Sequence, residues 1–294
     1  MGKGVIMGRK ILEIEAVTKK YKEFTLEPVS FSLEAGSSMG VMGAYGSGKT
    51  TLLKILTGQI RPEAGTVKFF GKETGKDKSE MLEYCGIVPA EGGFPDCLNA
   101  KEINKILKGC YKNWQEACFF ELADRFSLSL TRPLKELTRG AGQKVRILAA
   151  LCHEPKLLLL DEPLKGLEQE DRELAENLFR EFGKQEDQGV LSFTEQPEEA
   201  EKNCDNLAFL YKGRLIFAES QETLRKRYGF LEASDEKLEL VPRSAWCGIR
   251  RTENGGCLLL ERAALPKELA AELPVEVPAL TTIMECLTKE AVKR

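Results

Sequence analysis

The nine residues from Gly43 to Thr51, G-A-Y-G-S-G-K-T-T, constrain this chain more than any other stretch. They fit the phosphate-binding pattern G-x-x-x-x-G-K-[ST] at each fixed position: Gly43, Gly48, Lys49 and Thr50. A polyphosphate needs several backbone N–H groups converging on it, and side chains would block that approach. Gly43, Gly46 and Gly48 remove the obstruction and permit the unusual backbone angles. The whole run is therefore expected to bind: Gly43, Ala44, Tyr45, Gly46, Ser47, Gly48, Lys49, Thr50 and Thr51. A helix starting near Lys49 adds its positive N-terminal end. Lys49 would reach the β- and γ-phosphates, and the Thr50 hydroxyl would hold Mg²⁺.

The context that such a loop demands is present. Ser38 to Met42 is a short, mostly apolar run before the loop, as a buried strand should be. Thr51 to Ile60 follows with apolar residues at 52, 53, 55, 56 and 60, a helical spacing. Elsewhere, strands are expected at Ile11–Val17, Val29–Leu33, Gly65–Phe70 and Gly86–Pro89. Between about 95 and 150 the character becomes helical, with apolar residues in register over Glu102–Tyr111 and Trp114–Phe126. Apolar strands return at Leu157–Leu160, Val190–Thr194 and Leu207–Tyr211. Strands alternating with helices imply a parallel sheet with covered faces, and the middle helices read as an insertion into it. Leu207–Ala218 predicts a hairpin turning at Lys212-Gly213. The division expected is a core over 1–230 and a small α+β appendage over 231–294. The appendage would hold a hairpin over Ala245–Glu261, turning at Asn254-Gly255, and an amphipathic helix over Leu280–Val292.

Composition narrows the function classes. With 294 residues and a formal net charge of −3, the chain has no general attraction for nucleic acid or anionic lipid. No apolar run approaches the roughly 18–20 residues a bilayer span requires, and the first ten residues lack a signal-peptide core. Direct membrane insertion is not expected; membrane work would need another chain as anchor. The nine cysteines contain no C-x-x-C pair and share the chain with one histidine. Reduced thiols in a cytoplasmic protein are expected rather than a zinc site.

Leu157–Pro163 reads L-L-L-L-D-E-P. Four leucines make a buried strand, with Asp161 and Glu162 at its carboxyl end, where ligands of α/β sheets bind. Asp161 would hold Mg²⁺ through water. Glu162 would polarise the water that attacks a γ-phosphate.

From about Ile11 to Arg227 the sequence now resembles the ATP-binding subunits of ABC transporters. The resemblance implies a P-loop NTPase (RecA-like) α/β core, an antiparallel β subdomain and an inserted helical subdomain. Tyr21 matches the aromatic that stacks on adenine. Leu137–Gln143, L-T-R-G-A-G-Q, stands in place of the family signature L-S-G-G-Q, and Thr138, Arg139 and Gly140 would face the γ-phosphate of ATP held by a second subunit. Pro163–Glu168 matches the segment where two subunits touch. The middle portion is similar to exporter-type subunits that pair with a separate permease. ATP and Mg²⁺ as cofactors, a second ATP-binding subunit and an integral membrane permease as partners, and a cytoplasmic location at the inner face of the membrane all follow from the resemblance.

Four positions depart from the family pattern. Arg139 replaces the first signature glycine, and Glu168 replaces the aspartate ending the contact segment. Ala90 stands where a glutamine senses Mg²⁺ and couples to the permease. Glu195 stands where a histidine touches the γ-phosphate. The only histidine, His153, follows the signature helix and is expected to be structural. The binding set is intact, so these changes bear on turnover. The leading expectation is a slow ATPase of an exporter; the alternative is a non-hydrolysing switch beside an active paralogue. A DNA-maintenance ATPase is disfavoured, because Thr51 and Leu137 are too close to admit long coiled coils.

Overall fold

The computed structural model describes residues 9–73, 79–252 and 255–288. The chain divides into two compact units, Met1–Leu215 and Ile216–Arg294.

The first unit contains two sheets. In the antiparallel one, β1 (Lys10–Lys20) lies between β2 (Thr25–Glu34) and β4 (Ala64–Phe69), and β4 pairs with the short β5 (Lys72–Glu73). β2 buries Leu26, Val29, Phe31 and Leu33 while Glu27 and Ser30 stay exposed, the half-buried pattern of a one-sided sheet.

The second sheet carries the site. Its parallel strands are β3 (Ser37–Met42), β6 (Cys85–Val88), β7 (Leu157–Asp161), β8 (Gly189–Thr194) and β9 (Asn206–Tyr211), ordered β9-β3-β8-β7-β6. All four leucines of β7 are buried, because covering helices leave neither face to water. β10 (Arg214–Ser220) extends the sheet after a tight turn. Lys212 and Gly213 both adopt left-handed φ, 47° and 82°, the signature of a type I′ hairpin. The chain passes into the second unit within β10.

The helices of this unit are α1 (Lys49–Leu56), α2 (Ser79–Leu82), α3 (Ala100–Cys110), α4 (Glu116–Arg125), α5 (Arg139–Leu151), α6 (Gln169–Gly183) and α7 (Pro197–Asn203). α1 ends at Leu56, short of the expected Ile60, because Gly58 turns left-handed at φ 74°. α3 starts with a full capping box: Asn99 Oδ1 accepts from Glu102 N, and Glu102 Oε2 accepts from Asn99 N, each at 2.9 Å. α4 begins two residues after Trp114. That indole instead donates to Asn104 Oδ1 at 2.9 Å and bridges α3 to the loop. α3, α4 and α5 share a core of Ile103, Phe119, Leu122, Phe126, Val145 and Leu148. Each such burial contributes roughly 1.5–3 kcal/mol. α7, seven residues starting on Pro197, has too little periodicity to show in the sequence.

The second unit continues from β10 through α8 (Gln221–Arg227) into β11 (Tyr228–Ala233), α9 (Asp235–Glu239), β12 (Trp246–Thr252), β13 (Gly255–Glu261), α10 (Lys267–Glu272) and α11 (Leu280–Thr288). Its sheet is antiparallel, ordered β11-β13-β12. The hairpin expected over Ala245–Glu261 is present, but Asn254 of its turn lies outside the described residues, as do the last residues of the helix expected to reach Val292. β11 was not expected, and it runs through the boundary drawn at 230. Its six residues pair with β13, a partner far along the chain, so nothing local announces it. α11 approaches β12 closely at Gly248, where a Cβ would lie 2.5 Å from the Cys286 carbonyl oxygen. Among the described residues no helix is long and apolar enough to cross a membrane.

Candidate nucleotide site

The loop from Gly43 to Gly48 joins β3 to α1 at the carboxyl end of the parallel sheet. Gly43 has no room for a side chain: a Cβ would lie 2.4 Å from Leu210 O and from Ser47 Oγ. Gly48 caps α1 at φ 112°, and a Cβ there would meet Leu26 Cδ1 at 2.8 Å. No side chain caps α1, so the first-turn N–H groups are left for a ligand. Ser47 Oγ is buried without a hydrogen-bond partner. Ala44, Tyr45, Gly46 and Thr50 are exposed, Tyr45 to 94%, and Thr51 is half-buried.

Lys49 folds back over the loop. Its Nζ donates to Gly43 O at 2.5 Å and Ala44 O at 3.2 Å. Its third neighbour is the Glu195 carboxylate, Oε1 at 3.7 Å. Burial pulls the Lys49 pKa down, opposed by Glu195, Glu162 and Asp161. Glu195, standing where the family keeps a histidine, thus pairs with the loop lysine itself.

Asp161 ends β7, and burial raises its pKa against the pull of Lys49, Lys165 and the Ala90 backbone. Glu162 follows at φ 44°, a strained left-handed conformation for a non-glycine residue. Its N–H donates to Phe193 O at 2.9 Å. One carboxylate oxygen accepts from Thr194 Oγ1 at a long 3.4 Å, and the other is buried with no partner. Burial pushes the Glu162 pKa up; Lys49 lowers it, and Glu195 raises it. A carboxylate so raised, with an oxygen to spare, is suited to accept a proton. The orphaned Ser47 hydroxyl, the uncapped helix and the oxygens of Thr50 and Asp161 fit a hard cation and a phosphate chain.

Thr138, Arg139 and Gly140 are not brought to this loop. Thr138 caps α5, accepting from Ala141 N at 3.2 Å, and is exposed. Arg139 Nη2 pairs with Glu91 Oε1 at 2.5 Å. A Cβ on Gly140 would lie 2.3 Å from Gly166 O, so the signature is pressed against the segment after β7. Glu168, which closes that segment, is exposed and precedes α6. Tyr21 is 41% exposed, with Phe24 at 6.4 Å and Lys19 Nζ 5.9 Å from its ring centre. His153 is core: its ring nitrogens face Ala149 O and Cys85 O, each at 3.2 Å, and it stacks on Tyr111.

An ABC transporter family model matches residues 26–165. The ABC transporter ATP-binding protein NatA of Bacillus subtilis is 30% identical over 215 residues, covering 70% of this chain and 86% of NatA. The chain belongs to the ABC transporter family. The mouse ABC-type organic anion transporter ABCA8B is 33% identical over 233 residues, but this chain spans only 14% of that protein's length. Among solved structures, an ATP-binding subunit of an ABC transporter matches with a TM-score of 0.67 at 24% identity, over 73% of this chain and 92% of the other. An ATP-binding cassette, MJ0796, solved as a post-hydrolysis dimer with ADP and Pi, matches with a TM-score of 0.64 at 23% identity, over 71% of this chain and 98% of the other. The α/β P-loop fold is that of the ABC ATPase domain.

Sequence reasoning missed one support of this ABC domain. Gln143 is buried, and its Nε2 donates to Pro163 O at 3.0 Å. Arg146 grips the Gln143 Oε1 with Nε and Nη2, at 2.9 and 2.7 Å, and donates to Gly92 O at 3.1 Å. One turn of α5 thereby ties the signature to the segment after Glu162 and to the loop after β6. An arginine three residues after the signature glutamine, on a helix face otherwise going inward, was the available signal.

Proposed function

We propose that this chain is the ATP-binding subunit of an exporter-type ABC transporter and hydrolyses ATP slowly. The observation that carries the reading is Lys49, folded over a glycine cradle and surrounded by Asp161, Glu162 and Glu195. Lys49 would hold the β- and γ-phosphates, and the free N–H groups of α1 would meet their oxygens. Thr50 and Asp161 would hold Mg²⁺, which when bound offsets phosphate charge. Glu162 would take the proton of the water attacking the γ-phosphorus. Thr138, Arg139 and Gly140, placed away from the loop, suit contact with ATP held by a second subunit. A membrane permease would receive the resulting closure, and the chain would work at the cytoplasmic face of the membrane.

A second reading, a nucleotide switch with negligible hydrolysis, is favoured by the Glu195–Lys49 pair and by Ala90. Steady-state ATPase measurement separates the two. Measurable turnover that Glu162→Gln abolishes supports the first, and ATP binding without turnover supports the second. Lys49→Ala should abolish ATP binding while circular dichroism stays unchanged; ATP affinity equal to wild type in that variant would overturn both.

A further inference from the structure

The first unit holds a cavity of about 300 Å³ at the opposite end of the strands from the nucleotide loop. Lys156, on its wall, immediately precedes β7, whereas Asp161 ends that strand. Five residues of strand put the two about 16 Å apart. The cavity is therefore a separate place, and neither the catalytic acids nor the signature reaches it.

Its walls are held by backbone bonds between distant segments. Lys156 N donates to Tyr84 O at 2.7 Å, Phe70 N to Ile11 O at 2.9 Å, and Ala35 N to Arg9 O at 2.8 Å. A pocket framed this way is formed before any ligand arrives. The floor is apolar: Ile11, Phe70, Met81 and Tyr84. Phe70 and Tyr84 meet edge to face, 6.2 Å between centres at 78°, and Tyr84 is left 45% exposed.

The polar groups are lopsided in charge. Arg9, Lys72 and Lys156 line the cavity against one acid, Asp187. Asp187 is committed: it pairs with Lys156, which holds its carboxyl below the usual range, with Arg9 adding to the effect. Among the described residues Arg9 and Lys72 have no acidic side chain in ion-pair range. These two cations, without such a partner among the described residues, lie over an aromatic floor and select a ligand with one anionic head and a compact apolar body. The volume stands at the lower end of the ~300–1,000 Å³ typical of ligand pockets, so the body is about the size of one fused aromatic pair or a short acyl chain.

We propose that this cavity is a binding site for a small amphipathic anion, an aryl or acyl carboxylate or phosphate monoester, distinct from the nucleotide site. Arg9 and Lys72 take the head group, and Phe70 and Tyr84 take the body.

The test is calorimetric titration of the full chain with its nucleotide site saturated by ADP and Mg²⁺. The probes are octanoate, 1-naphthyl phosphate and the neutral 1-naphthol. At least one anion is expected to bind with 1:1 stoichiometry and at least tenfold more tightly than 1-naphthol, weakening as salt rises from 0.05 to 0.5 M. Which anion binds tighter tells carboxylate from phosphate recognition. Arg9→Ala/Lys72→Ala should weaken anion binding at least tenfold, and Ala35→Leu, which fills the space, should abolish it, each with ADP affinity unchanged. The salt series needs only wild-type protein, so it decides even if a variant fails to fold. Failure of both anions to bind, naphthol binding as tightly as the anions, or undiminished binding in well-folded Ala35→Leu overturns the proposal. The nucleotide reading would stand in each case.

Discussion

Replacing Glu195 tests one of the four positions that depart from the family pattern. Glu195 Oε1 lies 3.7 Å from Lys49 Nζ. At an effective dielectric near 20, two unit charges at that separation attract by about 4 kcal/mol. The Glu195 side chain is 47% exposed while that of Lys49 is 7% exposed, so water screens one end of the pair. Exposed pairs fall toward ~0.2–1 kcal/mol, which places this half-exposed one at about 1–2 kcal/mol. In the proposed site, ATP would have to take the ammonium from that partner and would leave an anion beside its γ-phosphate. The sequence alone puts the cost on turnover; the pair extends it to binding. Glu195→Gln should therefore tighten ATP roughly 5- to 30-fold, at ~1.4 kcal/mol per decade. ADP should gain less, because it has no γ-phosphate to be repelled. Titration calorimetry of both nucleotides at 0.15 and 0.5 M salt measures this, and high salt should narrow the gap between variant and wild type. Glu195→His, which restores a donor, should raise kcat about tenfold. The reasoning is refuted if Glu195→Gln binds ATP no tighter than wild type, or if ATP and ADP gain equally.

Two further outcomes follow from the geometry. Burial and Glu195 both push the Glu162 carboxyl above its ordinary range, and its ionised form would be the base in the proposed mechanism. Thus kcat should fall on acidification at a higher pH than an ordinary carboxylate would give, and Glu195→Gln should move that acid limb to lower pH; a pH–rate profile reads both. Gly140→Ala would set a methyl 2.3 Å from Gly166 O and push the signature off the contact segment. Turnover should drop at least tenfold while nucleotide binding by the isolated chain, measured by calorimetry, stays within twofold.

The candidate site was legible where its chemistry is local. Gly43 to Thr51 must be contiguous, since a loop of backbone N–H groups and the helix behind it are one stretch of chain. L-L-L-L-D-E-P is equally local, because a strand and the acids at its end occupy successive residues. The sheet strands were legible from apolar runs, and the helical insertion from its 3.6-residue period. What escaped depends on residues far apart. β11 exists because β13 pairs with it across more than twenty residues, and the sequence around Tyr228 says nothing of that. The cavity under Phe70 and Tyr84 is assembled from six separate segments. The Arg146 brace is local in its grip on Gln143, but its purpose shows only when Pro163 and Gly92 arrive. Glu195 was recognised as anomalous, yet that it would pair with Lys49 rather than face the phosphate site alone needed the fold.

Two of the four departures, Ala90 and Glu195, are 105 residues apart in sequence and read there as separate losses. In the sheet they are neighbours of one point. β6, β7 and β8 are adjacent and parallel, and Ala90, the Asp161–Glu162 pair and Glu195 stand just at or beyond their carboxyl ends. The substitutions flank the acid pair from both sides. The backbones of Ala90 and Glu195 both act on that pair, pulling the Asp161 and Glu162 pKa values down against burial. Side chains meeting at one reacting centre should not act independently. Ala90→Gln and Glu195→His should therefore be coupled, with the double variant faster than the product of the single gains. Sites without shared partners add to within about 0.5 kcal/mol, so an excess beyond roughly twofold in kcat marks coupling. The measurement is kcat for wild type, both singles and the double in the assembled transporter. A strictly multiplicative double variant would show that Ala90 and Glu195 act on different steps, and the shared-centre argument would fail.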